Sequence, residues 1–179
     1  EWKRHYIRSP LKTHALFVVG ECVVMGMIVN ICDGGLLVLA GVFIAMHTIG
    51  AHWLYSHVPY DCWLQYLFGT TTQDLFGWQR NHYDRLIHLL YGVCLTPIIA
   101  EYARAKYHFR YRSSWLVALS AIMISSLMYE WFEWGISLTL SPKDTESYNG
   151  QQGDMWDAHK DMLLATLGSL AWWIAYRKK

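Results

Sequence analysis

The sequence predicts an all-α fold: a polytopic transmembrane helix bundle of about five spans, a single transmembrane domain over residues 1–179. Three observations predict it. The chain is 54% hydrophobic and only 16% charged, with its apolar residues gathered in long runs. Its 10 Trp and 12 Tyr stand mostly near the ends of those runs, where aromatic belts meet a membrane interface. The ionisable residues inside the runs collect toward one end of each run. A net charge of +1, with no basic stripe interleaved with aromatics, gives no reason to expect nucleic acid as a partner.

The expected spans run over roughly 15–31, 36–56, 83–103, 114–140 and 155–176. A helix needs about 20 residues to cross the hydrocarbon core, so the first is short. The Gly pair in "CDGG" at 32–35 marks a turn between the first two. The segment 57–81, "HVPYDCWLQYLFGTTTQDLFGWQRN", is too polar to cross, and its aromatic content suits a piece lying on the membrane surface. The stretch 141–153 reads as a polar loop in which Asp and Glu have no special role, and Asp61 and Asp74 read as ordinary loop residues. No signal peptide is recognisable, and no internal repeat is present.

Basic residues orient the spans. Arg104, Lys106, Arg110 and Arg112 crowd one connection, and Arg177, Lys178 and Lys179 follow the last span. The positive-inside rule puts both groups on the cytoplasmic face, and two spans separate them, so the two signals agree. Alternation then sends 57–81 and 141–153 outside. It also sends the basic N-terminal segment outside (Lys3, Arg4, Arg8, Lys12), against the rule. A further span upstream would remove part of that conflict.

Counting inward from the outer face at about 1.5 Å per residue brings several ionisable residues to similar depth. They are His47 and His52 on span two, Asp84 and His88 on span three, Glu130 and Glu133 on span four, and Asp157 and Asp161 on span five. The inner halves of those spans carry almost none. Asp84 and His88 are four apart, Glu130 and Glu133 three apart, Asp157 and Asp161 four apart, so each pair shares a helix face. Asp154 joins the last face if that helix starts early. His47 and His52 are about 140° apart and do not point at one site. Charges in lipid are expensive and turn toward the bundle interior. The expectation is a polar chamber opening to the outer side.

Carboxylates and imidazoles without competing thiols suit a divalent cation such as zinc, manganese or iron. The candidate ligands are His52, Asp84, His88, Asp154, Asp157 and Asp161; the candidate acid–base groups are His88, Glu130 and Glu133. Arg80, Arg85 and Lys160 would neutralise the cluster or clamp a phosphate or carboxylate group. The competing reading is a structural salt-bridge and hydrogen-bond network with Arg85 and Lys160 as counter-ions. His57, His82 and His159 read as solvated. Cys22, Cys32, Cys62 and Cys94 have no paired ligand spacing, and no zinc-ribbon, P-loop or dinucleotide fingerprint is present.

The blocks "IGAHWLYSHVPYD", "FGWQRNHYDRLIHLLYG", "MYEWFEW" and "QGDMWDAHKDMLLATLG" resemble the signature blocks of the bacterial inner-membrane family that includes YjdF. The resemblance runs over about 47–168 and includes the spacing between blocks. It implies a multi-pass protein of the bacterial inner (cytoplasmic) membrane. The signature residues it marks are His52, Arg80, Asn81, Asp84, Arg85, His88, Glu130, Glu133, Asp154, Asp157 and Asp161. It supplies no reaction. Two functions stay open: a metal-dependent protein at the outer leaflet, acting on membrane lipid through a lipid-linked phosphate, or a non-catalytic accessory or structural subunit of a larger membrane protein complex. A carrier is disfavoured by the absence of a repeat or broken helix.

Overall fold

In the computed structural model the described residues are 33–141, 145 and 149–177, so the expected first span, with Cys22 and Cys32, lies outside them. The described residues form helices and no strand: α1 (Gly34–His52), α2 (Tyr60–Phe68), α3 (Thr72–Phe76), α4 (Tyr83–Tyr107), α5 (Tyr111–Ser137), α6 (Asp157–Leu170) and α7 (Trp173–Arg177). Helices α1, α4 and α5 are each long and apolar enough to cross a bilayer. The expected last span is not one continuous helix. It comprises α6 and α7, broken by a turn at 171–172 that sends Trp172 to α4 and Trp173 against Trp115 of α5.

The core is the α4–α5–α6 triple, and its closest contact joins α4 to α6. These two run parallel. Asp84, His88, Gly92 and Thr96 on α4 face Asp157, Asp161, Ala165 and Ser169 on α6, both at four-residue steps. A Cβ on Gly92 would collide with the Ala165 carbonyl oxygen and the Ser169 amide. One on Gly168 would collide with the Leu89 carbonyl oxygen. Small residues thus let two backbones touch, the usual route to helix association in lipid, where apolar side chains gain nothing by leaving the solvent. Antiparallel α5 offers its own four-step stripe, with Ser114, Ala118, Ile122, Ser126 and Glu130 all buried. The three stripes fix the register in which the acidic residues meet.

Pro97 lies inside α4 and has no N–H for the Val93 carbonyl. Trp172 Nε1 donates to that oxygen at 2.7 Å. Trp115 Nε1 donates similarly to the Ser169 carbonyl at 3.2 Å, beside the α6–α7 turn. Backbone groups left open by a proline or a broken helix must find partners inside a membrane protein, and indole donors supply them here.

The segment 57–81 does not cross the bundle. Asp61 is not an ordinary loop residue: it accepts from the Thr72 amide at 2.7 Å and ties α2 to α3. Nor is Asp74, which closes a capping box with Thr71. Tyr66, Phe68 and Phe76 stand exposed on this segment. Helix α1, capped by the Asp33 carboxylate on the Leu36 amide, packs extensively only on α4 among the described elements. The basic connection between α4 and α5 meets the end of α7, where Arg112 Nη2 donates to the Arg177 carbonyl. The 57–81 segment and the loop before α6 lie at the opposite end, joined by reciprocal bonds between Asn81 and Gln152.

Candidate functional site

That second end gathers most of the ionisable residues, in two tiers. The outer tier is an ion-pair rim. Arg80 Nη1 donates to Asp157 Oδ1 at 2.7 Å and lies 3.4 Å from Asp154 Oδ2. Arg85 Nη2 donates to Asp154 and, at 3.1 Å, to Asp157 Oδ1. Lys160 Nζ lies 2.6 Å from Asp154. Arg80 also donates to the Gln151 carbonyl at 3.1 Å, fixing the loop ahead of α6. The Lys160 ammonium, the Trp156 amide and Arg85 hold the Asp154 carboxyl well below the usual carboxylate range. His82, expected to be solvated, is half-buried between Trp78 and Arg85; burial and the two guanidinium groups push its pKa down.

Beside and beneath the rim, Asp84, at the level of Asp157, and His88 and Asp161, one turn deeper, bring one ligand atom each to within 4.8 Å of the others. His88 Nε2 is 3.9 Å from Asp84 Oδ1 and 3.8 Å from Glu130 Oε1. Asp161 is 2% exposed and Glu130 8%. Asp161 Oδ1 and Glu130 Oε1 nevertheless have no hydrogen-bond partner. Buried carboxylate oxygens are normally satisfied, so two orphans facing one imidazole are a feature to explain. Glu133 accepts from Tyr129 and lies within electrostatic reach of Glu130, Asp84 and Asp161, but it is not one of the three grouped ligands.

The expected site residues therefore divide. Asp84, His88, Glu130 and Asp161 converge. Asp154 and Asp157 turn to Arg80, Arg85 and Lys160. His52 is exposed, its ring edge-on to Trp53, and stands outside the ligand group.

A cavity of about 380 Å³ adjoins the deeper tier, between α1 and α5 with α4 behind it. Asp84 and His88 belong to both. Its other walls include Phe43, His47, Tyr55 and Tyr129. Sequence reasoning set His47 apart from His52 but gave it no role. Two signals could have found this wall: His47 and Phe43 share a face four apart, and Ser126 precedes Glu130 by four.

Residues 12–179 match the family described as "Predicted membrane protein (DUF2238)". The chain is 32% identical over 124 residues to "Inner membrane protein YjdF" of Escherichia coli (strain K12), covering 68% of this chain and 54% of that protein. It thus spans about half the length of that curated relative. No solved structure matches. The family match takes in every helix described above, and the YjdF identity agrees with the resemblance carried by the four sequence blocks: the chain belongs to the DUF2238 family of predicted membrane proteins.

Proposed function

We propose that this integral membrane protein holds a divalent cation between α4, α5 and α6, with Asp84, His88 and Asp161 as ligands and Glu130 beside them. The observation that carries the reading is the pair of orphaned, buried oxygens on Asp161 and Glu130, one on a carboxylate grouped with Asp84 and His88, the other 3.8 Å from His88 Nε2. Ligands of one zinc-sized ion lie at most about 4.4 Å apart, twice a 2.2 Å bond, so the 4.8 Å group closes with small side-chain shifts. Three protein ligands leave a position open for water or substrate. Glu130, close to His88 but outside the three, is placed to exchange a proton with a group held there.

The site's depth, a turn or so inside a multi-pass inner-membrane bundle, favours a substrate presented by the bilayer, with a lipid-linked phosphate as its class. Arg80 and Arg85 do not reach such a phosphate directly, because Asp154 and Asp157 occupy them; its oxygen would bind the cation. The ion-pair rim favours a second reading, a structural network in an accessory subunit.

Elemental analysis of protein purified in detergent separates the two. The metal reading expects near-stoichiometric metal, lost in Asp161→Ala, and a melting temperature lowered by chelator. Saturation at a hundred times Kd contributes about 2.7 kcal/mol, so the shift is measurable. A metal-free preparation that ignores chelator and tolerates Asp161→Asn supports the structural network.

A further inference from the structure

The cavity beside the acidic cluster has a chemistry of its own. Its rings are contiguous: Phe43 lies 5.6 Å from His47 and 5.7 Å from Tyr91, His47 lies 5.8 Å from Tyr55, and His88 lies 5.9 Å from Tyr129. The tyrosine hydroxyls are engaged within the protein. Tyr55 meets His47 Nδ1 at 3.0 Å, Tyr91 meets Ser125 at 2.7 Å, and Tyr129 hydrogen-bonds Glu133. What these tyrosines present to the cavity is therefore π surface more than donors. Leu54 and Tyr55 both take left-handed backbone (φ 51° and 52°), a strained turn that carries Tyr55 back over α1. Among the described residues no Lys or Arg lines the space, and the one carboxylate is Asp84. Ser126 Oγ, on a residue only 3% exposed, also lines it and has no partner.

Aromatic faces around a carboxylate, with an idle hydroxyl and no fixed cation, suit a positively charged donor. We infer that this cavity receives an organic ammonium group, set among Phe43, Tyr55, Tyr91 and Tyr129, with Asp84 as counter-ion and Ser126 as a hydrogen-bond partner. Among the described residues an anionic group meets no Lys or Arg on these walls, only the imidazoles of His47 and His88. The metal reading uses one Asp84 oxygen and leaves the other for the ammonium, so the inference narrows the lipid-linked phosphate of that reading to one carrying an amine, and it also stands without the metal.

The test is calorimetry on protein in detergent, with and without chelator, titrating choline, ethanolamine, inorganic phosphate and dimethylbutanol, the neutral carbon isostere of choline. Choline or ethanolamine should bind about three- to tenfold more tightly than the isostere, and Phe43→Leu should weaken that binding by a similar factor. Metal content should stay unchanged in Phe43→Leu, which removes a ring and no ligand. Equal binding of the isostere, or binding of phosphate alone, overturns the inference and leaves the metal reading standing. Amine binding by a metal-free preparation upholds the inference while the metal reading fails. Nanodiscs then name the source. A higher melting temperature in phosphatidylethanolamine than in phosphatidylglycerol discs assigns a lipid headgroup. Equal melting in the two, with free amine still binding, assigns a soluble amine.

Discussion

The two tiers at this end of the bundle both rest on aspartates of α6, Asp157 and Asp161, one helical turn apart, yet they are resolved differently. In the rim, Asp154 and Asp157 face Arg80, Arg85 and Lys160, and short contacts join every member. In the deeper tier, Asp84 and Glu130 pair with His88, Asp161 stands beside it, no Arg or Lys comes within ion-pair distance of the three carboxylates among the described residues, and two oxygens stay orphaned. A network in which every carboxylate meets a cation closes a structure. A buried excess of acceptors needs protonation or a cation from outside. The contrast makes the rim the better candidate for architecture and the deeper tier the better candidate for ligand chemistry. Residue type alone does not separate them; the partners on the facing helix do.

The strongest way to break this comparison acts on both tiers together. Gly92→Val puts two methyl groups where the Ala165 and Ser169 backbone already stands. No rotamer escapes a backbone clash, so α4 and α6 must part. The expected destabilisation is about 4 kcal/mol or more, with rim and deeper tier lost together. Thermal or denaturant unfolding in detergent measures it. A variant melting like the parent would show that the two backbones do not touch, and the register of both tiers would fall with that contact.

Arg85→Met strikes the rim directly, where both its ion pairs lie, and reaches Asp84 and Asp161 only through longer-range electrostatics. Asp157, almost wholly buried, would keep Arg80 but lose its second guanidinium. Breaking a buried pair costs about 3–5 kcal/mol, and the surviving Arg80 contact places the expected loss near the lower end. Metal content, if the deeper tier holds an ion, should change little. A variant that loses its metal while keeping its melting temperature would reverse the roles assigned to the two tiers.

Much of this arrangement was legible before any coordinates. Asp84 with His88, and Asp157 with Asp161, share faces because helical periodicity leaves no alternative, and alternation of spans put their ends together. Glu130 followed from the same count. The division between tiers was not legible. Asp157 and Asp161 share a residue type and a face, and only the axial register of α6 against α4 decides which meets Arg80 and which meets His88. That register is set by Gly92 and Gly168, whose role depends on a neighbouring backbone that periodicity cannot see. Asp61 and Asp74 failed as loop residues for a related reason: their partners are backbone amides, at Thr72 and Thr71, which every residue except proline offers.

The smallest expected effect tests how far the rim's own members differ. Lys160 is the most exposed partner of Asp154, with a side chain 46% accessible, whereas Arg80 and Arg85 are 14% and 15% accessible. Exposed pairs contribute little and are screened by salt, so Lys160→Ala should lower the melting temperature at neutral pH by less than about 3 °C. Acid should narrow that difference. The Asp154 carboxyl is held below its ordinary value of 3.8 by the folded state. Its stabilisation is therefore complete above that value and fades as pH falls below it toward the depressed one. Removing Lys160 takes away the largest cause of the depression, so the acid-induced loss should start at the same pH in both proteins but be smaller in the variant and complete at a higher pH. Melting curves from neutral pH down to the onset of acid unfolding, at low and high salt, give the comparison. Coincident acid limbs for parent and Lys160→Ala would mean that the two arginines alone hold Asp154, and the rim would shrink to four residues.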